Sequence, residues 1–282
     1  MHLYDERVCQ LGESPLWHPE RGQLFWTDIL ANRLLARKGK MASSWTFDAP
    51  VSAIGIIDES RLVAADSGEI FTFDIETGRR VQLHLLEAEI ETNRSNDGRV
   101  DPWGGFWIGT MELEGAPGRG SIYRWHAGEL RAIVNGLAIP NGLCFDQRRG
   151  FGYYTDTLTH KLFRLPLGAD GWPIDEASVF VDLGKDGGLI DGAVTDRDGN
   201  IHLALWDRGE VMTFDPGGRK IDTLDVGVPQ ATCPMFGDAD FRSLFVTTAS
   251  VGIAAAHPGA GKLYRVDSRF QGTPEPRLRL SQ

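Results

Sequence analysis

Short runs of aromatic and branched residues alternate along this chain with clusters of polar turn formers. GQLFWTD (22–28), SRLVAAD (60–66), GGFWIGT (104–110), GFGYYTD (150–156), GNIHLAL (199–205) and RSLFVTT (242–248) are six versions of one strand. Each follows a turn cluster: HPERG, DESR, DPWGG, DQRRG, DRDGN or DADFR. A second apolar run comes after most of them, as in NRLLARK, GEIFTFD, GSIYRW, HKLFRLP, GEVMTFD and GKLYRVD. Each pair therefore predicts two antiparallel strands joined by a turn. No stretch sustains a 3.6-residue apolar period, and VQLHLLEAEIE (81–91), the one segment with helical potential, is short enough to be a strand.

The copies recur at a spacing of roughly 40 residues, the period at which four-stranded sheets are arrayed radially. The pattern predicts an all-β fold, a six-bladed β-propeller filling residues 1–282 as one domain, with no linker or low-complexity tract to divide it. The leading LYDERVCQ is expected to pair with the last blade, which would close the ring and remove an exposed sheet edge.

Composition narrows the function classes. The 34 glycines in 282 residues imply many tight turns. A net charge of -10 disfavours nucleic acid and acidic membranes as partners, since both are bound through clustered Lys and Arg. The opening MHLYDERVCQLGESP lacks an apolar stretch long enough for a signal peptide, and no run approaches a membrane span, so a cytoplasmic location is expected. Cys9, Cys144 and Cys233 show neither a disulfide framework nor metal-ligand spacing.

One position in the repeat changes character. Five residues before each turn residue stand Glu13 (before His18), Ala53 (before Asp58), Asn96 (before Asp101), Asn141 (before Asp146), Asp191 (before Asp196) and Cys233 (before Asp238). Equivalent positions in a radial repeat lie around one axis, so these residues are expected to converge at one end of the central channel. Glu13, Asn141 and Asp191 offer only oxygen donors, a set suited to a hard divalent ion such as Mg²⁺, Ca²⁺ or Mn²⁺. The competing explanation is that Asn and Asp before Gly, in NDG, PNG and IDG, simply build turns. Glu13 in GESP speaks for coordination, because Glu is not a preferred turn residue. Asp196 and Asp198 lack the Gly and Glu spacing of an EF-hand loop and are expected to be turn residues.

The segments GESPLW with FWTDI, RSNDGRVDPWGGFWIGTM, IPNGLCFD with YYTDT, DGAVTDRDGNIHLALW and CPMFGDADFRSLFVTTAS, taken in this order, resemble the senescence-marker-protein/gluconolactonase family, the regucalcin-like sugar lactonases. The resemblance covers essentially the whole chain. It implies a six-bladed propeller with one divalent ion in its central channel (Ca, Mg, Mn, Zn or Fe), and hydrolysis of a sugar-acid lactone as the activity. It further implies Glu13, Asn141 and Asp191 as metal ligands, Arg94 and Asn96 as substrate contacts, and Glu112, after GTM, as a further acidic contact. Many relatives read DGM where this chain has DGA, which replaces a Met beside the site by Ala193.

On this basis Asp191 is expected to serve as both ligand and general base, with Arg94 and Asn96 orienting the sugar. A serine nucleophile is not supported: there is no GxSxG elbow, and Ser14 precedes Pro15. No HExxH is present. GAPGRG (115–120) is expected to be a hairpin loop rather than a phosphate cradle. Two alternatives stay open, a non-enzymatic calcium-binding or interaction scaffold and a related metal-dependent esterase. Arg94 with Asn96 discriminates the first, because a purely structural ion has no use for a neighbouring arginine.

Overall fold

The computed structural model describes residues 1–253, 255 and 257–280. Six four-stranded antiparallel sheets form a β-propeller. Their innermost strands, in blades 1 to 6, are Gly12–His18, Ala53–Ile56, Asn93–Val100, Pro140–Asp146, Ile190–Thr195 and Ala231–Gly237. The apolar runs that carried the repeat are the second and third strands, such as Gln23–Asp28 and Arg33–Lys38 in blade 1. VQLHLLEAEIE begins as an outer strand, Arg80–Leu85, and continues as turns. No helix among the described residues is long and apolar enough to cross a membrane.

Alternation along each strand divides its side chains between two interfaces. In blade 1, Phe25 and Leu34 pack with Ile54, Leu62 and Phe71 of blade 2, while their neighbours Leu24, Trp26 and Leu35 pack with Met235 and Phe245 of blade 6. A separate apolar cluster of this kind fills each junction between neighbouring blades. Truncating a buried aromatic such as Phe25 would cost about 3–5 kcal/mol through lost burial and the cavity left behind.

The ring closes as the sequence suggests. His2–Asp5 pairs antiparallel with Leu263–Asp267 as the outer strand of blade 6. Ser250 Oγ donates to Cys9 O at 2.8 Å, and Thr232 Oγ1 donates to Gly12 O, which ties the last blade to the first. Asp5 accepts from Arg7, whose Nη2 also donates to Ala36 O, so a charged clamp fastens the closing strand to blade 1.

Inner strands begin at what we term the upper face and end at the lower face. There, in blades 2 to 6, an aspartate stands at the turn to the second strand, and blade 1 has His18 instead. Asp101 Oδ1 accepts the amides of Trp103 and Gly105, and its Oδ2 accepts Trp107 Nε1 and Arg124 Nε. Asp196 plays the same part in blade 5, accepting the amides of Asp198 and Asn200 and meeting His202. The apparent calcium loop is thus a turn. GAPGRG joins Phe106–Glu112 to Gly120–His126 as a hairpin loop.

Candidate active site at the head of the central channel

Five inner strands break their pairing register at the same level. The breaks fall between Glu13 and Leu16, Ser95 and Gly98, Asn141 and Cys144, Ile190 and Ala193, and Ala231 and Pro234. A bulge of this kind bends the strand and re-aims a side chain. Blade 2 alone pairs regularly, Ala53 facing Ala65. Ser14 (φ 47°) and Gly142 (φ 66°) supply left-handed backbone at two of the breaks. Gly192 is required for another reason: a Cβ there would lie 2.5 Å from Cys233 Sγ of the next blade. NDG, PNG and IDG therefore lie inside strands, and their glycines serve close blade approach and bulge geometry rather than surface turns.

A hydrogen-bonded chain crosses the upper end of the channel from blade 3 to blade 5. Arg94 Nη1 donates to Ser95 O (2.8 Å) and to Asn96 Oδ1 (2.9 Å). Asn96 Nδ2 donates to Asn141 Oδ1 (3.0 Å) and Pro140 O. Asn141 Nδ2 donates to Thr157 Oγ1 (2.9 Å), which donates on to Ile190 O (2.8 Å), the residue before Asp191. Thr157 takes one N–H of the Asn141 amide and so fixes which way the amide faces, and Asn96 holds its oxygen in place. Only Nη1 of Arg94 is engaged in this way among the described residues, which leaves the rest of the guanidinium for a bound molecule.

Glu13 and Asp191 join this network through charge. Both are more than nine-tenths buried, and neither forms an ion pair among the described residues. Burial, then the charge of Asp97, pushes the Glu13 carboxyl up to about 8. Burial, then Glu13 and Asp97, raises Asp191 well above the usual carboxylate range. Burial lowers Arg94 to about 10 despite the opposing pull of Glu13 and Asp191. Three carboxylates thus share one low-dielectric space, with Arg94 on the upper side and Arg99 below, the latter already paired with Glu275.

Such a cluster fits a divalent ion, which would neutralise carboxylates that Arg94 compensates only in part. Among the described residues no three His, Cys, Asp or Glu side chains are gathered closely enough to hold an ion by themselves. Asp97 is otherwise employed: its Oδ2 accepts the Leu143 amide at 2.7 Å and so ties blade 3 to the bulge beside Asn141.

Asp97 and Thr157 are the residues that sequence reasoning passed over. Asp97 stood inside NDG and was absorbed into the turn explanation, and Thr157 follows the repeated strand in YYTDT with no distinguishing mark. Glu112 is half-buried and separate from the network. Its Oε2 accepts the amides of Glu114 and Ala116, so it organises its own hairpin loop. Trp26 and Trp107 are buried in blade packing, while Trp206 is half-buried at the top of blade 5.

The fold and site together define a six-bladed β-propeller with an oxygen-rich, bulge-built cluster at the head of its central channel. The chain belongs to the SMP-30/Gluconolactonase/LRE-like family, whose model matches residues 11–250. It is 30% identical to the 6-deoxy-6-sulfogluconolactonase of Pseudomonas putida, over 94% of each chain. It is 31% identical to Pentonolactonase XacC of Haloferax volcanii, over 95% of this chain and 94% of that one. The crystal structure of regucalcin from Agrobacterium tumefaciens, described as a calcium-binding protein, superposes with a TM-score of 0.96 at 34% identity, over 99% of this chain and 97% of that one.

Proposed function

We propose that this protein hydrolyses the lactone of a sugar acid to the aldonic acid, with one divalent ion held by Glu13, Asn141 and Asp191. The observation that carries this is the buried carboxylate pair without an ion-pair partner among the described residues, near an arginine with donors to spare, at the head of a closed ring. Relatives named as lactonases of sulfogluconic and pentonic acids support the substrate class. When bound, the ion would act as a Lewis acid toward the ester carbonyl.

The chain's own residues do the rest. Arg94 directs its free N–H groups at ring, hydroxyl or carboxyl oxygens, and Asn96 fixes both Arg94 and Asn141. Asp191 takes a proton from water as the water oxygen bonds to the carbonyl carbon. As the ring C–O bond breaks, Asp191 returns that proton to the departing ring oxygen. One water is consumed, one ester bond is opened, and the carboxylate ends unchanged.

The regucalcin neighbour's description as calcium-binding favours a second reading, a calcium scaffold without turnover. The test is a lactone panel of glucono-, galactono-, xylono- and arabinonolactones, assayed on chelated protein reloaded with single metals. Turnover restored by a divalent ion is expected. No turnover with any combination would overturn the lactonase proposal and favour the scaffold.

A further inference from the structure

Below the site, the C-terminal segment passes across the lower end of the channel. After the last strand the chain runs across the lower face, and its backbone bonds to Phe241 of blade 6 (from Gly272), Arg197 of blade 5 (at Gln271), Ile56 of blade 2 (from Leu278) and Gly104 of blade 3 (from Arg279). Midway along, Glu275 reaches the axis. It meets Arg99, a buried residue of the inner strand of blade 3, with Nη1 to Oε1 at 2.9 Å. The other end of the same guanidinium crosses the channel, where Nη2 donates to Ala193 O of blade 5 at 2.9 Å.

Ala193 closes the bulge that carries Asp191. The ladder is interrupted there, so the sheet alone fixes this stretch poorly. Gly192 packs closely against Cys233 on one side, and Arg99, two blades away across the channel, provides an anchor two residues past Asp191. An ion bound by a carboxylate is sensitive to the partners that orient that carboxylate.

We propose that Glu275 and Arg99 are positioning residues, a strut through which the C-terminal segment sets Asp191 for metal binding; this rests on Asp191 being a ligand. Nothing in the strut touches substrate. Its effect is on the strand that carries the ligand, and the charge of Glu275 keeps the buried guanidinium compensated and extended across the channel.

The test uses the full-length chain with Glu275→Ala, Glu275→Gln and Arg99→Lys, and with Arg277→Ala as a control. Arg277 belongs to the same segment but pairs with exposed Glu20 at the rim. Calcium or manganese alone is titrated by calorimetry, melting is followed in chelator, and kcat and KM are measured on a lactone. Glu275→Ala is expected to weaken metal binding roughly 10–100-fold and to lower kcat more than it raises KM, with Glu275→Gln intermediate. Arg277→Ala should lower only the melting temperature. Metal affinity and kcat unchanged in both Glu275→Ala and Arg99→Lys, with only melting affected, would overturn the strut. Wild-type protein that binds metal but opens no lactone sinks the lactonase proposal and leaves the strut to be judged on affinity; wild-type protein that binds no metal overturns both.

Discussion

Blades 2 and 5 present the same repeat position in opposite states. In blade 2 it is Ala53, fully buried, regularly paired with Ala65 and packed into the core shared with blade 3. In blade 5 it is Asp191, set in a bulge and aimed at the axis among other carboxylates. Under the proposed function, an active position in this ring needs two things at once. The ladder must be broken to turn the side chain inward, and the buried charge must share a site that a cation can neutralise. Where neither is present, the position adds to the core.

Turning blade 5 into blade 2 is the severest way to break the comparison. Asp191→Ala removes the proposed ligand and base together, and kcat/KM for lactones is expected to fall at least about 10³-fold, about 4 kcal/mol of transition-state stabilisation. Steady-state assays and metal titration of the variant check this. Full activity in metal-free Asp191→Ala protein would end the proposed mechanism.

The reverse change sharpens it. Ala53→Asp places a carboxylate at the equivalent position but on an unbroken ladder, with the closely approaching Gly98 of blade 3 beside it. Destabilisation by about 3 kcal/mol is expected, with no gain in metal affinity, because the charge is buried without a partner. Urea unfolding and calorimetry measure the two quantities. A stable variant with tighter metal binding would show that position alone suffices.

Asn96→Ala leaves every proposed ligand in place but frees the Asn141 amide and the Arg94 fork. Metal affinity is expected to fall roughly 10–100-fold, about 1.4–2.7 kcal/mol. An unchanged affinity with a raised KM would confine Asn96 to the substrate.

The same contrast explains what could be read from the sequence. Second and third strands were legible because their apolar residues alternate into two interfaces, as with Trp26 and Phe25. Inner strands were hidden: GESP, RSNDG and PNG look like turns, and only the recurrence of one position, with Glu13 out of character, exposed them. Outer strands such as Met41–Thr46 are mostly exposed and carry little apolar signal. Asp97, Arg99 and Glu275 were illegible, since their partners lie 46, 94 and 176 residues away. No local pattern encodes such pairs.

Blade 1 carries the comparison into pH, since Ala53 titrates nothing and Glu13 does. In the folded, metal-free protein the Glu13 carboxyl is raised to about 8 from an ordinary 4.5. Between those values the folded state holds a proton that the unfolded chain has released, so stability falls as pH rises across the window. The melting temperature of chelated protein should drop by roughly 6 °C from pH 5 to 8. Added calcium should raise melting more at pH 8 than at pH 5, because the ion and the proton compete for the same carboxylates. A flat profile in chelator would place the Glu13 charge in a compensated environment.

The smallest effect is expected at Glu112, which lies on the second strand of blade 3 and outside the bulged set. One carboxylate oxygen is occupied by the Glu114 and Ala116 amides, an interaction that a glutamine oxygen can also make. If its task is to shape the loop beside Arg94, Glu112→Gln should change KM by less than about threefold, under about 0.7 kcal/mol. Glu112→Ala, which releases both amides, should raise KM further while kcat holds. A tenfold rise in KM already in Glu112→Gln would instead make its charge a direct substrate contact, and would extend the functional surface from the bulged inner strands to the hairpin loops above them.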